Sequence, residues 1–248
     1  MNKHFSEIDS TNAEMHRWLN SGDKVDNYSY ITADFQTTGR GQVGNTWESE
    51  PQANLLFTAV VRPQELDVRK QFYLSMAVSL AIVEAIETAI NQRLSDIHIK
   101  WPNDIYYKNY KLGGILIENS LQEHFIRNSI IGLGLNVNQR EFHSDAPNPI
   151  SLASITGKNW NTADFATSII DSLKRWIPRV DMEDWPYIVT AYMSRLYLYD
   201  GKMHPFCADG VAFEAQIKRI ETDGRLVLST SDGTEKSFFF KEVEYVLR

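Results

Sequence analysis

The sequence has little cysteine, no excess of positive charge and no long uninterrupted apolar run. Its one cysteine, Cys207, excludes an internal disulfide and any metal site built from several cysteines, and it fits a reducing compartment. Lysine and arginine number 25 against 32 acidic residues, so the net charge of −7 lacks the basic footprint of a duplex-DNA binder. The longest apolar segment, Leu74–Ile90, is interrupted by Glu84 and Glu87, and residues 1–18 lack a signal-peptide core. These absences predict a cytoplasmic protein that does not enter a membrane.

What is present predicts an α+β fold in two parts. Hydrophobic residues make up 43% of the 248, enough for one large domain or a large and a small one. Ser10-Thr11-Asn12 looks like a helix N-terminus, with Thr11 and Glu14 at capping-box spacing. Apolar periodicity predicts further helices near 74–90, 163–176 and 185–197, and strands near 30–35, 54–61, 97–101, 114–118 and 129–137.

The pattern changes near Asp200. From Gly201 onward, short strand-like runs alternate with turns that contain Asp-Gly, which is a strong hairpin signal. We therefore predict a large domain over residues 1–200 and a small barrel-like domain over residues 201–248.

The segment Ile99–Glu118 contains more candidate functional residues than any other part of the chain. Lys100, Asn103 and Asp104 follow one predicted strand, and Lys111 with a glycine pair opens the next. Lysine suits a phosphate or a developing oxyanion, and glycines let a ligand approach the backbone. The pattern predicts a site for an anionic small molecule such as a nucleotide. The alternative is plain strand termination followed by a solvated turn.

Three other segments leave alternatives open. Gly39–Gly44 matches the G-x-G-x-x-G spacing, but the strand that follows it disfavours a dinucleotide fold; it is either an anion-binding loop or an ordinary glycine-rich hairpin loop. Ser10, Thr11 and Asn12 either only cap a helix or also contact a ligand. Glycines at 132 and 134 weaken a strand unless something packs close to it, and Asn136 would then point into that site.

Taken together, these segments resemble the catalytic domain of biotin protein ligases over about residues 5–200. The motifs occur in family order: Asp9-Ser10-Thr11-Asn12, Gln36-Thr37-Thr38-Gly39-Arg40-Gly41, Trp47, Asn54-Leu55, Lys100-Trp101-Pro102-Asn103-Asp104, Lys111-Leu112-Gly113-Gly114-Ile115-Leu116-Ile117-Glu118, Gly132-Leu133-Gly134-Leu135-Asn136-Val137-Asn138 and Ser151-Leu152. Each motif alone is weak, but their order is highly specific.

The resemblance implies a fold and a reaction. The fold would be a mixed sheet with flanking helices, as in class II aminoacyl-tRNA synthetases, followed by a small barrel similar to a Src-homology-3 domain. The enzyme would activate biotin with ATP and Mg²⁺ to biotinyl-AMP and then transfer the biotinyl group to a lysine of a biotin carboxyl carrier protein. A homodimer is compatible with the resemblance.

The resemblance also assigns residues to roles. The catalytic residues would be Lys111 and Arg40, with Asp104 orienting or deprotonating the carrier lysine. The biotin-binding residues would be Ser10, Thr11, Asn12, Gln36, Gly39, Arg40, Gly41, Gln42, Lys111, Gly114 and Gly132. The ATP-binding residues would be Arg40, Trp47, Lys100, Asn103, Lys111 and Asn136. No protein ligand for a metal is assigned, since Mg²⁺ would arrive with ATP.

Two departures from the family pattern carry expectations. No winged-helix segment precedes Ser10, so we expect no operator binding. Gln42, Val43 and Asn45 supply no charge to the glycine loop, so we expect weaker retention of the acyl-adenylate. Two other functions remain open: a lipoate or octanoate protein ligase, and a vitamin- or nucleotide-binding module without catalysis.

Overall fold

The fold is described from a computed structural model over residues 1–41, 46–143 and 148–246. The helices are α1 (Thr11–Asn20), α2 (Gln71–Ala89), α3 (Leu152–Thr156), α4 (Thr162–Asp181) and α5 (Trp185–Arg195). The strands are β1 (Asn2–Phe5), β2 (Tyr30–Ala33), β3 (Leu55–Val61), β4 (Ile97–Lys100), β5 (Asp104–Tyr107), β6 (Tyr110–Gln122), β7 (Phe125–Leu135), β8 (His204–Ala208), β9 (Val211–Ile220), β10 (Leu226–Thr230), β11 (Glu235–Phe238) and β12 (Glu244–Tyr245).

The larger sheet has seven strands in the order β1-β2-β3-β7-β6-β5-β4. The β1–β2 pair is parallel and the other pairs are antiparallel, so the sheet is mixed. This confirms the predicted α+β class with flanking helices.

Helices cover the two faces of this sheet unequally. Since side chains alternate along a strand, Phe57, Ala59 and Val61 of β3 face one side and Val60 faces the other. The first side packs against α2, α4 and α5 in the main core. The second side is covered by α1, through Met15 and Trp18, over part of its area only. The rest of that second face is open for a site.

The apolar helix α2 belongs to this core. Together with the 3-10 turn before it, it forms the segment Val68–Ala89, which is long and apolar enough to cross a membrane by length and composition alone. However, 61% of the most apolar stretch of this segment is buried inside the protein. It packs along α4, so its apolar surface is accounted for by the fold.

The C-terminal segment forms a second, five-stranded antiparallel sheet in the order β11-β10-β9-β8-β12. Over the described residues the hydrogen-bonded pairing runs from β11 at one edge to β12 at the other. Its apolar residues, including Phe206 and Leu228, join the same core cluster as the larger sheet. The indole N–H of Trp101 donates to the carbonyl of Gly224 at 2.8 Å, which fastens the two sheets together. The domain boundary near residue 200 stays a prediction.

Several elements differ from the sequence expectations. β1, β8, α3 and β5 were not predicted. β5 was missed because Asn103-Asp104 was taken as a turn, whereas the turn lies at 101–103 and Asp104 already begins the strand. The β-branched and aromatic run after it, Ile105-Tyr106-Tyr107, is the signal that could have identified it.

Candidate functional site

A cavity of about 770 Å³ lies on the half-open face of the larger sheet. Its floor is a row of positions with little or no side chain. Gly114 of β6 pairs with Gly134 of β7, and Gly132 pairs with Leu116 on one side and Thr58 on the other. Because cross-strand partners share a face, these glycines form a depression in the sheet. The positions of these glycines in two long strands therefore explain why the sheet is hollowed here.

The N-terminus of α1 forms one wall of the cavity, and its capping is unusual. Ser10 is the N-cap, but its side chain makes no capping hydrogen bond. Instead, the side-chain oxygen of Gln36 accepts from the backbone N–H of Thr11 at 2.7 Å and lies 2.9 Å from its hydroxyl oxygen. The predicted capping box is wrong, because Glu14 pairs with Arg17. The polar groups of Ser10, Thr11 and Gln36 are thus grouped at the cavity rather than used only to cap the helix.

A chain of hydrogen bonds behind this wall fixes its geometry. The buried hydroxyl of Thr58 lies 2.8 Å from the hydroxyl of Thr11 and donates to the side-chain oxygen of Asn12 at 2.6 Å. The amide nitrogen of Asn12 donates to Glu118 at 2.7 Å. His16 lies 3.4 Å from the same carboxylate. Thr11 is therefore held through Thr58 and Asn12 to a charged residue at the protein surface.

We expect Thr58→Val to destabilise the fold by about 2 kcal/mol, because the buried oxygen of Asn12 loses its donor. It should also weaken the binding of biotin, the ligand that the sequence resemblance implies. Thr58→Ser keeps the hydroxyl and is the matched control. Calorimetric titration with biotin and thermal melting measure the two effects. Equal biotin affinity in the Val and Ser variants would show that the hydroxyl does not organise this wall.

The glycines of the floor admit protein side chains. Gly114 and Gly132 line the cavity, and the biotin contact that the resemblance assigns to them stays a prediction. A Cβ at Gly132 would collide with the side-chain amide of Asn12, and one at Gly134 would collide with the Trp47 indole. A Cβ at Gly114 would lie 3.3 Å from the same indole. The glycines are thus needed first to seat Asn12 and Trp47 against the sheet.

Lys111 reaches the cavity because of an irregularity in strand pairing. Ile105 pairs with Gly113 and Tyr106 with Lys111, so Leu112 has no partner across β5. Strict alternation would place Lys111 and Gly114 on opposite faces, and the extra residue returns them to the same face. The ammonium group of Lys111 then lies 2.7 Å from Asp104. Asn136, behind the strand, donates to the backbone carbonyl of Lys111 at 3.4 Å.

The cavity has a positive electrostatic character within a negatively charged protein. Four basic residues line it, together with the carboxylates of Asp104 and Glu244; the basic residues are Arg40, Lys100, Lys111 and Lys241. Lys100 is largely enclosed, and burial lowers the pKa of its amine. Within the described ranges, no cluster of three or more acidic, histidine or cysteine residues is arranged to bind a metal. The arrangement suits an anionic ligand such as a nucleotide.

The structure brings most of the predicted site residues together. Those that line the cavity are Ser10, Thr11, Asn12, Gln36, Arg40, Gly41, Trp47, Lys100, Asn103, Asp104, Lys111, Gly114 and Gly132. Gly39 lies against the carbonyl of Trp47, and Asn136 lies behind Lys111; neither is among the lining residues. Gln42, Val43 and Asn45 fall outside the described residues.

Sequence reasoning missed several residues that build the site. Thr58 and Glu118 support the α1 wall from behind. Glu118 ends the second apolar run, but nothing local indicates its partner. Residues from the C-terminal sheet also close the cavity, namely Phe240, Lys241, Val243, Glu244 and Tyr245. Their sequence neighbourhood contains no recognisable motif.

The sequence is similar to those of known proteins. The biotin/lipoate A/B protein ligase family matches residues 5–136. The chain is 27% identical over 225 residues to the biotin–[acetyl-CoA-carboxylase] ligase of Mycobacterium tuberculosis, covering 91% of this chain and 82% of that protein. It is 27% identical to the bifunctional ligase/repressor BirA of Bacillus spizizenii over 236 residues, covering 93% of this chain and 70% of that protein.

Solved structures give the same picture of the fold. The biotin protein ligase of Aquifex aeolicus in complex with biotin and ATP superposes with a TM-score of 0.78 at 24% identity, covering 98% of this chain and 97% of that one. The biotin protein ligase of Leishmania major in complex with biotin gives a TM-score of 0.62 at 25% identity, covering 97% of this chain and 99% of that one.

Proposed function

Because the chain belongs to the biotin/lipoate A/B protein ligase family, we propose that it is a biotin protein ligase that activates biotin with ATP and biotinylates a lysine of a carrier protein. Named biotin–[acetyl-CoA-carboxylase] ligases among its relatives support this enzyme type. The observation that carries the proposal is one continuous cavity with a neutral hydrogen-bonding wall at α1 and a cationic wall at β4–β6. Biotin has a neutral polar head, and ATP a polyanionic chain, so the two walls match the two substrates.

In the first step, an oxygen of the biotin carboxylate attacks the α-phosphorus of ATP. The bond to the bridging oxygen breaks, and pyrophosphate leaves with the electron pair. Negative charge gathers on the phosphoryl oxygens and on the leaving group, where preorganised cations stabilise it. Lys111 is the cation proposed for the transferring phosphate, with Arg40 and Lys100 beside it. Asp104 holds the Lys111 ammonium in place at 2.7 Å before the substrates bind.

The wall at α1 is proposed to bind the ureido ring. That ring has one carbonyl acceptor and two N–H donors, which need partners once they are buried. Ser10, Thr11 and Gln36 offer hydroxyl and amide groups in a fixed arrangement. The dithiolane ring of lipoate has no comparable donors, so this wall favours biotin over lipoate. Trp47, which packs on Gly134, is proposed to contact the apolar parts of either substrate.

In the second step, the amine of the carrier lysine attacks the carbonyl carbon of the mixed anhydride, an amide forms, and AMP leaves. The amine must lose a proton, and Asp104 is the carboxylate proposed to orient or accept it. Glu244 is the other carboxylate along the cavity. Mg²⁺ would supply charge neutralisation and would be held mainly by the ATP phosphates.

Other parts of the expectation remain predictions. These are the identity of the carrier, the absence of DNA and membrane binding, a cytoplasmic location, homodimer formation and the weaker retention of the adenylate.

Parallel incubations with labelled biotin, lipoate or octanoate, each with ATP and Mg²⁺, test the proposal against its rivals. We expect pyrophosphate release and an acyl-AMP ester with biotin alone. Ester formation with lipoate in preference to biotin would indicate the other branch of the family. No ester with any of the three acids would indicate a binding module.

A further inference from the structure

The ammonium group of Lys100 lies between two aromatic rings that belong to different sheets. It is 5.0 Å from the ring centroid of Tyr106, on β5, and 4.9 Å from that of Tyr245, on β12. Within the described ranges Lys100 forms no ion pair with a carboxylate, whereas its neighbour Lys111 pairs with Asp104 at 2.7 Å. The two lysines of the cavity are therefore held by different means.

The enclosure of Lys100 has an energetic consequence. Burial favours the neutral amine, and so does the positive charge of Lys111 nearby, while Asp104 and Glu244 act in the opposite direction from a distance. An aromatic face within about 6 Å attracts a cation, more strongly when water is excluded. Two such faces stabilise the ammonium form and limit the directions in which the flexible lysine side chain can point.

Tyr245 is itself firmly placed. Its ring packs against Phe206 at 5.1 Å and Tyr197 at 6.0 Å. Its hydroxyl is buried and has no hydrogen-bond partner among the described residues. Tyr245 meets Lys100 through its ring, so the π face is the feature to test.

We propose that Tyr245 is a positioning residue for Lys100, through which the C-terminal sheet completes the phosphate-binding wall of the catalytic cavity. This rests on the proposed function. Tyr245 touches neither reacting atom; it acts by holding the Lys100 ammonium toward the nucleotide. The second sheet then contributes to the nucleotide site, in addition to packing against the larger sheet.

The test compares Tyr245→Leu, which keeps an apolar side chain but removes the π face, with Tyr245→Phe, which keeps the ring. For the Leu variant we expect KM for ATP to rise and single-turnover adenylation to slow by about tenfold. The affinity for biotin, measured by calorimetry without ATP, should stay unchanged. The Phe variant should restore the adenylation rate to within about threefold of the wild type.

Phe213→Leu is the matched control, because Lys236 lies 5.1 Å from the Phe213 ring on the same sheet and neither residue lines the cavity. It should not alter KM for ATP. Equal ATP kinetics in the Leu and Phe variants of Tyr245, or a parallel loss of biotin affinity and melting temperature in the Leu variant, would overturn the proposal. If the wild type forms no adenylate, the proposed function fails instead.

Discussion

Replacing Lys111 with alanine is expected to slow biotinyl-adenylate formation by about a hundredfold while the protein stays folded. Loss of one preorganised charge that faces a transition-state oxyanion costs on the order of 3 kcal/mol. Lys111 has the position for this role, since the shifted β5–β6 register turns it toward the cavity and Asp104 fixes its ammonium group. The measurement is single-turnover pyrophosphate release at saturating biotin and ATP.

Lys108→Ala is the matched control for this variant. Lys108 lies in the β5–β6 hairpin turn, close in sequence to Lys111, and is not among the residues lining the cavity. Its replacement should leave the rate unchanged. Thermal melting of both variants separates a chemical effect from a folding defect. An unchanged adenylation rate in Lys111→Ala would show that the Lys111 charge does not act in the first step.

Gly224→Ala is expected to destabilise the protein by about 3 kcal/mol and to loosen the C-terminal sheet from the larger one. Gly224 has a φ of +91°, and an added Cβ would lie 2.6 Å from the Phe72 ring. The left-handed conformation costs about 1–2 kcal/mol for alanine, and overpacking costs about 1–3 kcal/mol. Its carbonyl also accepts the bond from Trp101, whose neighbours line the cavity. Activity should therefore fall together with stability.

Gly233→Ala isolates the backbone contribution. Its φ is +83°, but nothing lies within 4 Å of an added Cβ. We expect a loss of about 1 kcal/mol and normal activity. Denaturant unfolding of both variants measures the difference. Equal destabilisation at the two glycines would mean that a side chain added at Gly224 does not clash with Phe72 of α2.

Much of the site could be predicted from the sequence, because its residues lie at the ends of long strands or on one face of them. Lys100, Asp104 and Lys111 were predicted to meet, and the two hairpins that join β4, β5 and β6 bring them together. The polar triplet Ser10-Thr11-Asn12 marks the start of α1, and the glycines of β7 mark a close approach. These features depend on local pattern, which a single sequence carries.

Other parts depend on long-range packing and were not predicted. The side chains that pack against the glycines could not be inferred, because Asn12 is 120 positions from Gly132 in the sequence. Periodicity alone would place Lys111 on the other face of the sheet. It points into the cavity because β6 contains one extra residue, which the sequence pattern does not reveal. The contribution of Tyr245 depends on how the second sheet docks, and no motif marks it.

The most direct test of the central claim is transfer from a preformed intermediate. The wild-type protein is incubated with biotin, ATP and Mg²⁺, free ligand is removed, and the bound adenylate is detected by mass spectrometry. A biotin carboxyl carrier domain is then added, either intact or with its target lysine replaced by arginine. We predict that biotinyl-AMP forms, and that the intact carrier alone gains the mass of one biotinyl group as AMP is released. Failure to form biotinyl-AMP, or its persistence in the presence of the intact carrier, would contradict the account.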